Sequence, residues 1–153
     1  MKLDPTDLRI LDALQRNAQL SRKVLAELCH ISEATCSRRL AALDKSGYVT
    51  QYRAVLNAAK LGFGLSLFVL VRMESDQGTA RKRFETRLRK SPLVQRMSLI
   101  SGDFDYLLHI VARDMEEYHN FCEAMLSEEN DVRKYLSLFE MKILHDSPVL
   151  PLN

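Results

Sequence analysis

The sequence predicts an α+β chain in two modules. A (winged) helix-turn-helix head over residues 1–56 is followed by a ferredoxin-like βαββαβ module over residues 65–153, with a linker at 57–64. Three observations carry this prediction. Residues 20–47 hold two short helical patterns, each opened by a serine and separated by a short break. The linker contains two glycines, and beyond it the hydrophobic period changes. From Leu65 onward strand-like and helix-like segments follow in the order β-α-β-β-α-β, the split pattern of ferredoxin-like sheets.

The first helix is expected from about Asp4 to Asn17. Pro5 sits near its start, where a missing N–H costs little, and Asp7 favours the same, positive end. Leu8, Ile10, Leu11 and Leu14 form its apolar stripe. Ser21 caps a second helix running through Leu28, with Val24, Leu25 and Leu28 apolar. Cys29-His30-Ile31 supplies a sharp turn, and Ser32 caps a third helix whose first turn holds Glu33. Cys36, Leu40 and Leu43 make its inward stripe, and Gly47 ends it. Tyr48–Arg53 leaves as an extended, wing-like segment.

In the second module Leu65–Met73 is rich in strand-forming residues. Thr79 caps a basic amphipathic helix to about Lys90, with Phe84 and Leu88 inward. Leu93–Ile100 and Tyr106–Ala112 are the next strands, joined by the turn SGDFD. Asp114 caps a helix with Met115, Tyr118, Phe121, Cys122 and Met125 inward, and Val132–Leu144 is a long last strand. With both helices on one side of such a sheet, its other face is left open. Leu67, Val69, Val71, Leu108, Ile110 and Leu136–Leu144 are apolar on more than one parity, so a partner chain is expected there, most economically a second copy of this one.

Composition bounds the rest. With 153 residues, 46% hydrophobic and 27% charged, the chain is globular and fits one ordinary domain or two small ones. No run reaches the ~18–20 apolar residues of a membrane span, and MKLDPTDLRI lacks a signal peptide's apolar core, so no membrane partner is expected. Cys29, Cys36 and Cys122 fall inside helical patterns and are odd in number, as buried thiols in a reducing cytoplasm would be. Cys36 lies on an inward stripe and no second ligand pair follows Cys29-His30, so neither a metal nor another cofactor is expected. No nucleophile or acid–base pair is visible, so no catalytic residue is expected and an enzyme is disfavoured. The run Arg81-Lys82-Arg83 with Arg87, Arg89 and Lys90 reads as a solvated helix face or a second nucleic-acid surface.

The outward face of the third helix points to double-stranded DNA. It carries Ser32, Glu33, Ala34, Thr35, Ser37, Arg38 and Ala41: small and polar side chains with an arginine, as a helix lying in a major groove requires. An ordinary solvated helix pair would share part of this pattern. The charge division supports the DNA reading: residues 1–56 hold 9 Lys+Arg against 6 Asp+Glu, and residues 57–153 hold 13 against 14.

The segments LDPTDLRILDALQRNA, ISEATCSRRLAALDKSGYVTQYRAVLN and SGDFDYLLHIVARDMEEYHNF, in this order, resemble the Lrp/AsnC (leucine-responsive, or feast/famine) family of bacterial and archaeal transcription regulators, essentially end to end. The resemblance implies a dimer built on the C-terminal sheets, often assembled into octamers, that binds palindromic DNA and responds to an amino acid. It also implies a cytoplasmic, nucleoid-associated protein. Carried over by position, Ser32 through Arg39 match the start of the family's recognition helix, with Arg39 its recurrent arginine. Gly102, Asp103 and Asp105 match the turn that lines the family's effector pocket between subunits. A glycine there lets backbone amides approach a carboxylate, and Asp105 would accept from an α-ammonium. Phe139 and Glu140 stand where the family often has small β-branched residues lining the pocket. Phe139 would narrow it, favouring a medium side chain such as leucine or methionine. Leu126–Val132 also departs from the family's usual leucine-proline-glycine-valine approach to the last strand. The leading expectation is therefore an effector-responsive DNA-binding regulator, and the alternative is an effector-independent architectural DNA-binding protein.

Overall fold

The computed structural model describes residues 2–74 and 78–152. The chain divides into two compact units, Met1–Val55 with Leu144–Asn153, and Leu56–Ile143. The first unit is three helices, α1 (Pro5–Arg16), α2 (Arg22–Cys29) and α3 (Glu33–Lys45). Its core is Ile10, Leu14, Leu25, Ala26, Cys29, Cys36, Leu40 and Leu43.

Each helix begins where its capping residue dictates. The Asp4 carboxylate accepts from the N–H groups of Thr6 and Asp7, and the Asp7 carboxylate accepts in return from the Asp4 N–H, a reciprocal capping box. Ser21 and Ser32 cap α2 and α3 by accepting from Val24 N–H and Thr35 N–H. Between these helices His30 takes left-handed backbone angles (φ 56°), and Ile31 N–H reaches back to Ala26 C=O. That single residue makes the sharp inter-helix turn. Gly47 (φ 74°) ends α3 in the same manner, with Tyr48 N–H donating to Leu43 C=O. The expected wing is extended chain only: residues 50–57 pair with no strand among the described residues. The apolar Val24 and Leu28 are exposed on α2, because Leu25, Ala26 and Cys29 fill the side facing its neighbours.

By their contacts the last ten residues group with the head rather than with the second module. The Gln15 side chain donates to Leu150 C=O at 2.9 Å and accepts from Leu150 N–H at 2.8 Å. Leu152 lies in a groove with Leu8, Ala13 and the exposed Leu28.

The second unit is β1 (Leu65–Met73), α4 (Gly78–Leu88), β2 (Val94–Leu99), β3 (Tyr106–Ala112), α5 (Met115–Met125) and β4 (Val132–Phe139). Its sheet has the order β2-β3-β1-β4, antiparallel throughout, as a ferredoxin-like connection requires. Strict alternation assigns the faces. Leu67, Val69, Val71, Met73, Tyr106, Leu108, Ile110 and Ala112 are buried with Phe84 and Leu88 of α4 and Tyr118, Phe121 and Cys122 of α5. Met115, expected inward on α5, is exposed. The opposite face is uncovered, with cross-strand rows Leu136–Leu70–Leu107 and Leu138–Phe68–His109. Phe68 and His109 stack at 5.0 Å, and Ser66 Oγ lies 3.1 Å from His109 Nε2. β4 stops at Phe139, short of the expected Leu144. Its partner strand begins at Leu65, and the final ladder bond is Glu140 N–H to Ser66 C=O.

Candidate functional site

On α3 two adjacent arginines have opposite environments. Ser32, Glu33, Ala34, Ser37, Arg38 and Ala41 are exposed and Thr35 is half-buried, so most of the expected reading face is open to solvent. Arg38 makes no hydrogen bond or ion pair among the described residues and is available to a ligand. Arg39 is not. Its guanidinium donates to Asp4 Oδ2 at 2.6 Å and to Asp7 Oδ1 at 2.8 Å, and Asp7 is only 5% exposed. These bonds raise the pKa of Arg39, and the Asp7 N–H, with Arg39, lowers that of Asp4. Arg39 therefore locks α3 to the start of α1, whereas Arg38 stays free of such ties. Its position could have signalled this: Arg39 flanks the inward stripe of Cys36, Leu40 and Leu43, while Asp7 shares a helical row with Ile10 and Leu14, where a buried acid demands a cation.

In the second module Gly102 opens the turn after β2 with φ 119°, which a β-carbon would strain. Nothing lies within 4 Å of where that carbon would sit, so the requirement is conformational and not one of close approach. Asp105 is engaged within the fold. Its Oδ2 accepts from Met73 N–H at 2.8 Å and its Oδ1 from Arg81 at 2.8 Å, with the side chain 17% exposed. Its backbone joins Val71 and Ile100. Asp105 thus fastens the turn to β1 and α4.

Asp103 is exposed, and its carbonyl accepts from Arg72 at 2.6 Å. Arg72, Asp103, Arg133 and Lys134 line one shallow polar concavity, three cations and a carboxylate together. Sequence reading missed these cations because they lie on two strands far apart in the chain. Arg72 pairs with Lys134 across β1 and β4, one row beyond the apolar rows of the open face. Phe139 and Glu140 do not join this group. Phe139 pairs with Leu67, whereas the turn meets β1 at Val71, about 13 Å further along at ~3.3 Å per residue. Phe139 instead stands edge-on to Tyr118 at 5.7 Å, and Tyr118 OH bonds Ser137 Oγ.

Residues 3–50 match the model for winged helix-turn-helix DNA-binding domains, and residues 66–150 match that for the Lrp/AsnC ligand binding domain. The chain belongs to the Lrp/AsnC family. It is 34% identical to the leucine-responsive regulatory protein of Rhizobium meliloti, over 93% of each chain. It is 40% identical to an HTH-type transcriptional regulator of Haemophilus influenzae, covering 91% of this chain and 83% of that one. Among solved structures, a Neisseria meningitidis transcriptional regulator in complex with L-methionine superposes with a TM-score of 0.94. It is 34% identical, with 99% of this chain and 98% of that one covered. The protein is thus a DNA-binding helix-turn-helix regulator of the Lrp/AsnC family with that family's ligand binding domain. No helix among the described residues is long and apolar enough to cross a membrane. Cys29, Cys36 and Cys122 are free and buried, and burial pushes their thiols up.

Proposed function

We propose that this regulator is a homo-oligomer, a dimer through its open sheet faces and an octamer of four such dimers. We further propose that it senses a medium-sized amino acid, leucine or methionine, where subunits meet. The observation that carries the ligand reading is the likeness, across nearly the whole of both chains, to the regulator solved with L-methionine. The chemistry of this chain supports it. An amino acid brings an ammonium, a carboxylate and an apolar side chain, and each must be satisfied when buried. At the rim of the open face Asp103 would accept from the ammonium, while Arg72 and Lys134 would bind the carboxylate. Leu70, Leu107 and Leu136 in the next row offer the side chain an apolar bed that a second subunit would close.

The DNA-reading groups are Ser32, Glu33, Ala34, Thr35, Ser37 and Arg38 on one side of α3, with two heads of an oligomer reaching half-sites roughly 34 Å apart. A thermal-shift screen of the standard amino acids tests the ligand. A ligand that binds only the folded chain adds RT ln(1 + [L]/Kd), about 2.7 kcal/mol at 100 Kd. Leucine or methionine should raise the melting temperature, and Asp103→Ala or Lys134→Ala should abolish the rise without lowering the unliganded melt. A shift with no amino acid at all would leave an effector-independent DNA-binding protein. A shift untouched by either substitution would move the ligand away from this rim.

A further inference from the structure

The basic run on α4 has no part in the site described above, yet it forms an ordered surface. Lys82, Arg83, Thr86, Arg87 and Lys90 follow at one-helix-face spacing and line a single shallow concavity with no acidic residue in it. The only acid in α4, Glu85, is turned away. It accepts from the buried Tyr106 hydroxyl at 2.9 Å and faces Arg89 at 3.7 Å. Arg87 is half-buried, donates to the Met125 and Asn130 carbonyls at 3.4 Å each, and anchors the floor of the concavity. Burial works against its charge, Asp131 supports it, and neighbouring Arg83 opposes it. Arg83 contacts Asp131 at 3.1 Å but its side chain remains 71% exposed. Lys82 and Lys90 are exposed and have no ion-pair partner among the described residues.

Four cations share this surface and Asp131 pairs with Arg83, so the row keeps an excess of positive charge that a bound polyanion would relieve. From Lys82 to Lys90, α4 and the turn that follows it extend about 12 Å, at ~1.5 Å per residue. Along one strand of duplex DNA phosphates recur every ~3.4 Å of axis, so this length faces three or four of them. Thr86, in the middle, offers a hydroxyl of the kind that commonly bonds phosphate oxygens.

We propose that the Lys82–Arg83–Thr86–Lys90 face of α4 is a second, sequence-independent contact for the phosphate backbone of duplex DNA. The proposal rests on the DNA-binding role of the head: a duplex held by that head presents further phosphates to the same oligomer at high effective concentration. The contact adds affinity and salt dependence, and no base preference.

The test measures binding of the full chain to a long mixed-sequence duplex across a salt series. Each lost phosphate contact removes about 0.9 from the slope of log K against log salt. The triple variant Lys82→Gln, Arg83→Gln, Lys90→Gln should therefore show a slope smaller by about two to three. Between 50 and 200 mM salt the wild type should then lose up to about fortyfold more affinity than the variant. The double variant Lys82→Arg, Lys90→Arg should keep the wild-type slope, since it keeps the charge. An unchanged slope in the triple variant overturns the proposal while leaving the head's role intact, whereas a wild type that binds no duplex at all removes the head reading first. A lost slope in the arginine variant overturns the charge argument. If the triple variant keeps its DNA slope but no longer adheres to phosphatidylserine-containing vesicles, the ridge faces a membrane surface and the proposal fails.

Discussion

Replacing Asp7 by alanine should unfold the head more readily while leaving the second module's melt unchanged. The Asp7 side chain is 7% exposed and its carboxylate accepts two bonds, from Arg39 at 2.8 Å and from the Asp4 N–H at 3.1 Å. A hydrogen bond to a charged group is worth about 1.5–3 kcal/mol, and losing a capping interaction costs about 1 kcal/mol. Truncation to alanine also leaves the half-buried Arg39 with Asp4 as its one remaining carboxylate. The expected loss is about 2–4 kcal/mol, and in a domain this small each kcal/mol moves the melting temperature by roughly 4–8 °C. The head should then melt at least ~8 °C lower, followed by far-UV circular dichroism on the full chain. Asp7→Asn preserves the shape and an acceptor oxygen but not the charge, and should fall between the two. Arg38→Ala, one residue from Arg39, should leave this melt unchanged. A head in Asp7→Ala that melts within about 2 °C of wild type would refute the reasoning that Arg39 is a structural tie.

Three further outcomes are expected. Arg38→Ala should weaken DNA binding, by about 1–3 kcal/mol with relaxed preference at one operator position if it reads a base, or uniformly with a salt slope smaller by about one if it contacts phosphate; equal affinity in titrations of wild type and variant would exclude this side of α3 from the groove. Leu70→Asp places a charge in the middle of the open apolar face, and sedimentation should show smaller assemblies than wild type; an unchanged oligomer would mean that the face is not the interface. The Asp4 carboxyl is held below its ordinary value by the Asp7 N–H and by Arg39, so its contribution is complete above about pH 4 and is lost as the pH falls through its lower, folded value. Acid melts of Asp4→Asn should lack that limb, and an acid limb identical to wild type would contradict the assignment.

The fold was legible because each element announces itself locally. Serine caps at Ser21 and Ser32, the alternation of Leu65–Met73 and the turn SGDFD act over a few residues and need no distant partner. What stayed hidden depends on contacts far apart in the chain. The end of β4 is set by where β1 begins, and no property of residues 140–144 records it. Arg39 reads as solvent-facing until Asp4 and Asp7, more than thirty residues away, are brought beside it. Asp105 reads as an open carboxylate until Arg81 and the Met73 N–H occupy both of its oxygens. The tail residues Leu150 and Leu152 carry no periodic signal, and their place against α1 follows only from Gln15 and the groove beside Leu8. The exposure of Arg38 and the turn at Gly102 follow from local pattern, whereas the cations Arg72, Arg133 and Lys134, which two separate strands bring to Asp103, do not.

The central claim is that one chain couples an amino acid to a DNA-reading head, and it is tested most directly by measuring the affinity of the full-length protein for its operator with and without saturating L-leucine or L-methionine. Linkage between the two sites should change that affinity in either direction by about 5–150-fold, corresponding to ~1–3 kcal/mol of coupling, and the same factor should appear in the amino acid's affinity when DNA is bound. An operator affinity identical in both conditions, with the amino acid shown to be bound, would contradict it.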